Sequence, residues 1–149
     1  MGMIPLQEIA PGRIIGPDPL AYRLPDAEGV HAAALRRWRG HRLGIFVHWG
    51  VNCRTGLELS YSRGAGHDAG AYDADARRLD ARQCDPREWA RLFRRAGARY
   101  VNLVTRHADG FAWWPTRTDD HHVGNTPFGR DLVGELSSAC RETGLDFGC

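Results

Sequence analysis

Two short apolar runs in this chain end in titratable side chains. Residues 43–50 (LGIFVHWG) place His48 near the end of the first run, and residues 99–111 (RYVNLVTRHADGF) place His107 and Asp109 near the end of the second. Runs of this length, rich in β-branched and aromatic residues and closed by glycine, are typical of buried strands. Parallel α/β sheets carry their binding and catalytic groups at the carboxyl ends of the strands. The two runs therefore predict one shared site.

The elements that must position these residues alternate along the sequence. Helices are predicted over about 27–39, 86–97 and 132–143, and strands over 43–49, 99–105 and 145–149. Asp85 and Asp131 stand where helix N-caps are needed, and Glu88 completes a capping box with Asp85. Alternation of this kind predicts parallel strands joined by right-handed crossovers, which is an α/β fold.

The remaining stretches carry fewer structural signals. Residues 1–26 contain five prolines and are predicted to form a loop-like lead-in. Residues 50–84 show little apolar periodicity and are predicted to be a long connection that leaves the end of the first strand toward the substrate. The sequence stops inside its third strand, with an edge left unpaired, so the chain is expected to be truncated.

Composition excludes several classes of function. The chain has 149 residues and a formal net charge of +2, too small to indicate nucleic acid or an anionic membrane as partner. Its four cysteines show no paired short spacing, so neither a zinc site nor a redox motif is indicated. No signal-peptide pattern and no membrane-spanning run is present, and we expect a soluble cytoplasmic protein.

Several segments resemble the N-terminal third of the family 29 glycoside hydrolases, the α-L-fucosidases. The resemblance covers about residues 35–149 and is carried by WRGHRLGIFVHWG, YSR, DPREWARLFRRAGARYVNLVTRHADGFAWWPT and NTPFGRDLVGELSSACRETGLDFG. It implies a (β/α)₈ TIM barrel of about 250 residues, of which this chain would supply the first three strands. Residues 1–26 would then be the lead-in, and residues 27–149 an incomplete catalytic barrel.

The resemblance also implies an activity. Family members hydrolyse terminal α-linked L-fucose with retention, using an Asp nucleophile and a separate acid/base carboxylate about 5–5.5 Å apart. Both carboxylates are expected beyond Cys149, so no catalytic residue is assigned here. The implied partner is a fucosylated oligosaccharide or a related glycoside, with no cofactor and no metal. The oligomeric state is left open.

What the segment can supply is sugar recognition. The resemblance assigns substrate contacts to His48 and His107, whose imidazoles offer the donor and acceptor that a hydroxyl wants. Trp49 would supply an apolar wall for the sugar, and Glu58 a carboxylate in the first loop. The sequence departs from the family at Ala108, where a second histidine is usual, and around Glu58, which is displaced by one residue and lacks the Trp that normally follows it.

Other interpretations stay open. Ala108 and the altered first loop also fit a non-catalytic fucosidase-like carbohydrate-binding protein or an inactive fragment. Trp113 and Trp114 fit either the sugar wall or ordinary packing. Residues 119–122 (DDHH) could bind a divalent metal in a metal-dependent hydrolase, but consecutive residues rarely converge on one ion, and a solvated loop is favoured. A chain ending at Cys149 is expected to be inactive and poorly stable.

Overall fold

A computed structural model describes residues 30–56 and 68–149. The predicted lead-in over 1–26 and the predicted contact Glu58 lie outside these residues. The chain divides into two units, residues 1–40 and 41–149. In the first unit, helix α1 covers Val30–Gly40 and carries Arg37 and Arg39 in its last turn. Positive charge there complements the partial negative charge at the carboxyl end of a helix.

The second unit holds a parallel sheet and its helices. Its described elements are β1 (Gly44–Val47), α2 (Asn52–Thr55), α3 (Ala69–Arg77), α4 (Pro86–Arg95), β2 (Tyr100–Leu103), a 3₁₀ turn (Val123–Asn125), α5 (Leu132–Glu142) and β3 (Asp146–Gly148). The strands lie in the order β1-β2-β3, and both pairings are parallel. The predicted α/β class and all three predicted strands are confirmed.

One face of the sheet is covered by helices. The register places Ile45 beside Val101 and Val101 beside Phe147, so alternate residues of the three strands share that face. They pack in one apolar core with Ala90 of α4 and Leu136 of α5. Burial of this apolar face is the main favourable contribution to the folding of the sheet.

The other face of the sheet is open in the described part of the chain. Phe46 of β1 points its side chain there with 64% of its surface exposed. On the same face Gly44 lies under the Tyr100 ring, where an added Cβ would come within 2.1 Å of a ring carbon. A Cβ added at Gly148 would similarly lie 2.8 Å from the side-chain oxygen of Asn102. Large side chains of β2 thus occupy the space that glycines on its neighbours leave.

The two predicted helix starts are confirmed. The Asp85 carboxylate accepts hydrogen bonds from the backbone N–H groups of Arg87 and Glu88, with Pro86 in the first turn. The Asp131 carboxylate accepts one from the N–H of Gly134. Both caps satisfy donors that the first helical turn leaves without a partner.

The prediction of one long connection over 50–84 is wrong at Asn52–Thr55, where α2 forms, and at Ala69–Arg77, where α3 forms. Helix α3 begins after Asp68, whose carboxylate accepts hydrogen bonds from Gly70 N–H and Ala71 N–H. Its buried positions are Tyr72 and Ala76, one turn apart. Two apolar positions make too narrow a stripe for a periodicity argument to detect. None of the described helices is long and apolar enough to cross a membrane.

Candidate functional site

The structure brings the two predicted histidines together. His48 directly follows β1 and His107 lies four residues beyond β2, so both stand at the carboxyl edge of the sheet. Their ring centroids are 4.7 Å apart, with the ring planes inclined by 33°. His48 is exposed and His107 is half-buried. Within the described residues Nδ1 of His107 is buried and has no hydrogen-bond partner.

A short hairpin presents His107. Its arms are joined where the N–H of Trp113 donates to the carbonyl of Thr105 at 3.0 Å, and by an antiparallel bridge between Arg106 and Ala112. At the tip, the N–H of Gly110 donates to the carbonyl of His107 at 2.9 Å. Gly110 has a φ of 80°, a conformation that glycine adopts without a steric penalty. The backbone of His107 is therefore fixed as the first residue of a tight turn.

Asp109 closes that turn from within. Its side chain is 3% exposed; Oδ1 accepts the N–H of Phe111 at 3.1 Å, and Oδ2 accepts the hydroxyl of Tyr72 at 2.5 Å. Both oxygens are occupied by protein donors. Asp109 is therefore a structural hydrogen-bond acceptor that shapes the turn.

Trp49 lies in an aromatic cluster behind the histidines. Its ring stacks on Trp113 at 4.3 Å with the planes inclined by 16°, and its carbonyl accepts the indole N–H of Trp113 at 2.8 Å. Trp89 and Phe128 meet the same ring edge-on. Trp49 is half-buried and also lines a cleft of about 540 Å³ together with Trp89 and residues 80–84. Contact between Trp49 and a sugar stays a prediction.

The two tryptophans of the loop differ in exposure. Trp113 is 2% exposed and packs against Phe111 and Phe128 as well as Trp49, which is the packing interpretation. Its neighbour Trp114 is half-buried. The indole N–H of Trp113 thus holds the backbone carbonyl of Trp49, the residue that follows His48.

Residues 119–122 form local contacts. The Asp119 carboxylate accepts the N–H of His121 at 2.8 Å and pairs with Arg106 at 2.5 Å, and these two contacts hold its pKa below the ordinary value. The expectation of a solvated loop is wrong for His122, which is 8% exposed. It is buried because its backbone pairs with Ala112 of the hairpin. No group of three potential metal ligands occurs among the described residues.

With this geometry in hand, the comparisons with known proteins decide the family. The model of the α-L-fucosidase family matches residues 21–149. The chain belongs to the α-L-fucosidase family. It is 34% identical over 145 residues to the tissue α-L-fucosidase of Rattus norvegicus, a match that covers 83% of this chain and 31% of the relative. This fucosidase-family chain therefore spans about a third of the length of that curated relative.

Solved structures of fucosidases share its fold. A bacterial fucosidase bound to a monovalent iminocyclitol inhibitor matches with a TM-score of 0.68 and 29% identity, over 76% of this chain and 28% of the other. An α-L-fucosidase of family 29 from Bacteroides thetaiotaomicron, trapped as a covalent intermediate with 2-fluoro-fucosyl fluoride, gives a TM-score of 0.67 and 29% identity, over 77% of this chain and 29% of the other.

One residue that contacts the hairpin of His107 was not identified from the sequence. Tyr72 lies in a stretch that was predicted to be a connection, yet its hydroxyl reaches Asp109, 37 residues later. The Asp68 N-cap was the local signal that could have revealed the helix carrying Tyr72. At the position of the departure from the family pattern, Ala108 is exposed at the tip of the hairpin.

Proposed function

We propose that this chain supplies the sugar-recognition part of an α-L-fucosidase that releases terminal α-linked L-fucose from glycoconjugates with retention of configuration. The observation that carries the proposal is the pairing of His48 and His107, 4.7 Å apart at the ends of two adjacent parallel strands, in a chain of this family. Each neutral imidazole offers one donor and one acceptor, which is what a sugar hydroxyl requires.

The open face of the sheet supports a barrel as the setting. Parallel sheets are normally covered on both faces, whereas the face that carries Phe46 is open in the described part of the chain. In the described residues β1 and β3 each pair only with β2. Closure into a (β/α)₈ barrel would pair both edges and enclose Phe46, Tyr100 and Asn102 in its interior. We propose that β1–β3 are the first three strands of that barrel.

The catalytic carboxylates are proposed to come from other strands. Retaining hydrolysis needs one carboxylate to attack the anomeric carbon and a second group to protonate the leaving oxygen. The carboxylate that lines the crevice beside His107 is Asp109, and both its oxygens accept protein hydrogen bonds. It is therefore a poor nucleophile. The covalent intermediate of the Bacteroides relative supports retention as the stereochemical course.

The test measures turnover and recognition in one preparation. The intact natural protein, with its length established by mass spectrometry, is assayed on an aryl α-L-fucoside. We expect His48→Ala and His107→Ala each to lower kcat/KM by about 5- to 30-fold, because losing a sugar hydrogen bond costs about 1–2 kcal/mol. His41→Gln is the matched control, since His41 precedes β1 at the opposite end of the sheet. Equal losses in all three variants would reject the recognition role.

A second candidate is a fucose-binding protein without turnover. Ala108 favours it, because the exposed hairpin tip lacks the imidazole that the family pattern carries there. In that case the protein would bind an iminocyclitol or L-fucose in calorimetry, would release no aryl group, and would lose binding in His48→Ala. Release of the aryl group by the natural protein rejects this alternative.

A further inference from the structure

Helix α3 is fastened to the hairpin that carries His107 by a buried hydrogen bond. The hydroxyl of Tyr72 donates to Oδ2 of Asp109 at 2.5 Å, and each of the two residues is 3% exposed. A hydrogen bond to a carboxylate is about twice as strong as one between neutral groups, and screening by water is weak in a buried site. The hydroxyl of Tyr72 therefore fixes the position of the Asp109 side chain.

Asp109 transmits this constraint to the backbone. While Oδ2 accepts from Tyr72, Oδ1 accepts the N–H of Phe111 at 3.1 Å, so one carboxylate links α3 to the descending arm of the hairpin. The turn is closed on its other side by the hydrogen bond from Gly110 N–H to the carbonyl of His107. Any rotation of the Asp109 side chain would therefore disturb the turn that begins at His107.

A second contact ties the same helix to the loop after the hairpin. Asp73, the neighbour of Tyr72, lies 3.8 Å from Nδ1 of His121, and the His121 ring packs edge-on against Phe111. The first half of α3 thus contacts the hairpin and the loop after it. This helix acts as a brace for the hairpin.

We infer that Tyr72 is a positioning residue for sugar recognition: its hydroxyl, acting through Asp109, sets the orientation of His107 toward His48. The inference rests on the proposed function for its consequence in binding, and on the two hydrogen bonds of the Asp109 carboxylate for its geometry. Tyr72 acts on the turn through Asp109, which lies two residues after His107. Specificity for the sugar would then depend partly on a helix outside the sheet.

The test removes the hydroxyl and keeps the ring. Tyr72→Phe preserves the buried aromatic volume, and Tyr100→Phe is the matched control, since Tyr100 begins β2 at the end of the sheet away from His107. Two quantities are measured in the intact protein: the NMR cross-relaxation peak between the His48 and His107 rings, and the dissociation constant of a monovalent fucose-configured iminocyclitol.

We expect Tyr72→Phe to weaken the ring–ring peak and to raise the dissociation constant about tenfold, while Tyr100→Phe changes neither. An unchanged peak with unchanged binding in a folded Tyr72→Phe protein overturns the inference. A simple loss of stability would lower the unfolding temperature and leave the peak of the folded molecules intact, which would also overturn it.

Failure of the proposed function gives a different result. If the unmodified protein binds no iminocyclitol, the sugar site is rejected, whereas the ring–ring peak still decides the role of Tyr72. Should Tyr72→Phe not fold, Asp109→Asn is measured in its place. It keeps the side-chain volume but has one oxygen acceptor for the two donors, Tyr72 and Phe111 N–H, so the peak should weaken; a peak of native intensity would overturn the inference.

Discussion

Trp113 is a buried side chain whose loss should disturb the site through its contacts with Trp49. Trp113→Phe removes the indole N–H that donates to the carbonyl of Trp49 at 2.8 Å, and it replaces a ring that is 2% exposed by a smaller one. The carbonyl of Trp49 belongs to the residue directly after His48. The substitution therefore acts on the backbone that orients the first sugar-recognition residue.

The magnitude follows from these two losses. Removing the donor from this half-buried carbonyl costs up to about 1–3 kcal/mol. The stacked contact with Trp49, at 4.3 Å and 16°, is worth about 0.5–1.5 kcal/mol beyond its buried area, and part of it survives with phenylalanine. We expect the free energy of unfolding to fall by about 1–4 kcal/mol.

The assay is urea denaturation of the intact protein, followed by far-UV circular dichroism so that the change in tryptophan content does not alter the signal. Trp114→Phe is the matched control, because the adjacent Trp114 is half-buried, whereas the stacking on Trp49 and the indole hydrogen bond to its carbonyl belong to Trp113. Its cost should stay within about 1 kcal/mol.

Two results would refute this reasoning. One is a cost below about 0.5 kcal/mol for Trp113→Phe, the size of an ordinary surface substitution. The other is an equal cost for both tryptophans, which would mean that aromatic bulk in the loop matters and the hydrogen bond to Trp49 does not.

Two further predictions concern side-chain ionisation. Burial raises the pKa of the Cys84 and Cys140 thiols to about 11, so at pH 8 both should resist iodoacetamide in the folded protein while the exposed Cys53 is alkylated; mass spectrometry of tryptic peptides reads this out. The depressed pKa of Asp119 means that its stabilising effect is present above its unfolded value of about 3.9 and is lost as pH falls through the folded pKa. Asp119→Asn should therefore reduce the acid-induced loss of stability below about pH 4, as measured by thermal unfolding at a series of pH values; an unchanged pH profile would contradict it.

The parts of the fold that were predictable from sequence have local signatures. Helix α4 follows from the Asp85 cap, from Pro86 in the first turn and from the apolar spacing of Trp89, Leu92 and Phe93. The three strands follow from short apolar runs bounded by glycine, with ends that the structure trims by one or two residues. Such signals act within one or two turns of chain, which is why a single sequence reveals them.

Two features that were not predicted are stabilised by distant partners, although the Asp68 N-cap was a local signal for α3. Helix α3 is stabilised by burial of Tyr72 against Asp109, and His122 is buried because it pairs with Ala112. Neither contact produces a periodic pattern of apolar residues in the sequence, because the partners lie 37 and 10 residues apart, on different elements. The meeting of His48 and His107 was predictable only because strand order and direction could be inferred first. Tertiary contacts thus decided the elements that local propensity left undetermined.

The glycines on the open face of the sheet have a consequence for how this family can change. The Tyr100 side chain fills the space beside Gly44, and the Asn102 side chain fills the space beside Gly148, in each case on the neighbouring strand. A larger side chain at one position of a pair requires a smaller one at the other. We therefore expect the two positions of each pair to change together, by compensating substitutions. A library that varies these positions one at a time should yield few folded variants. A library that varies both positions of a pair, so that the total side-chain volume is kept, should yield folded variants with a differently shaped interior next to the same two histidines.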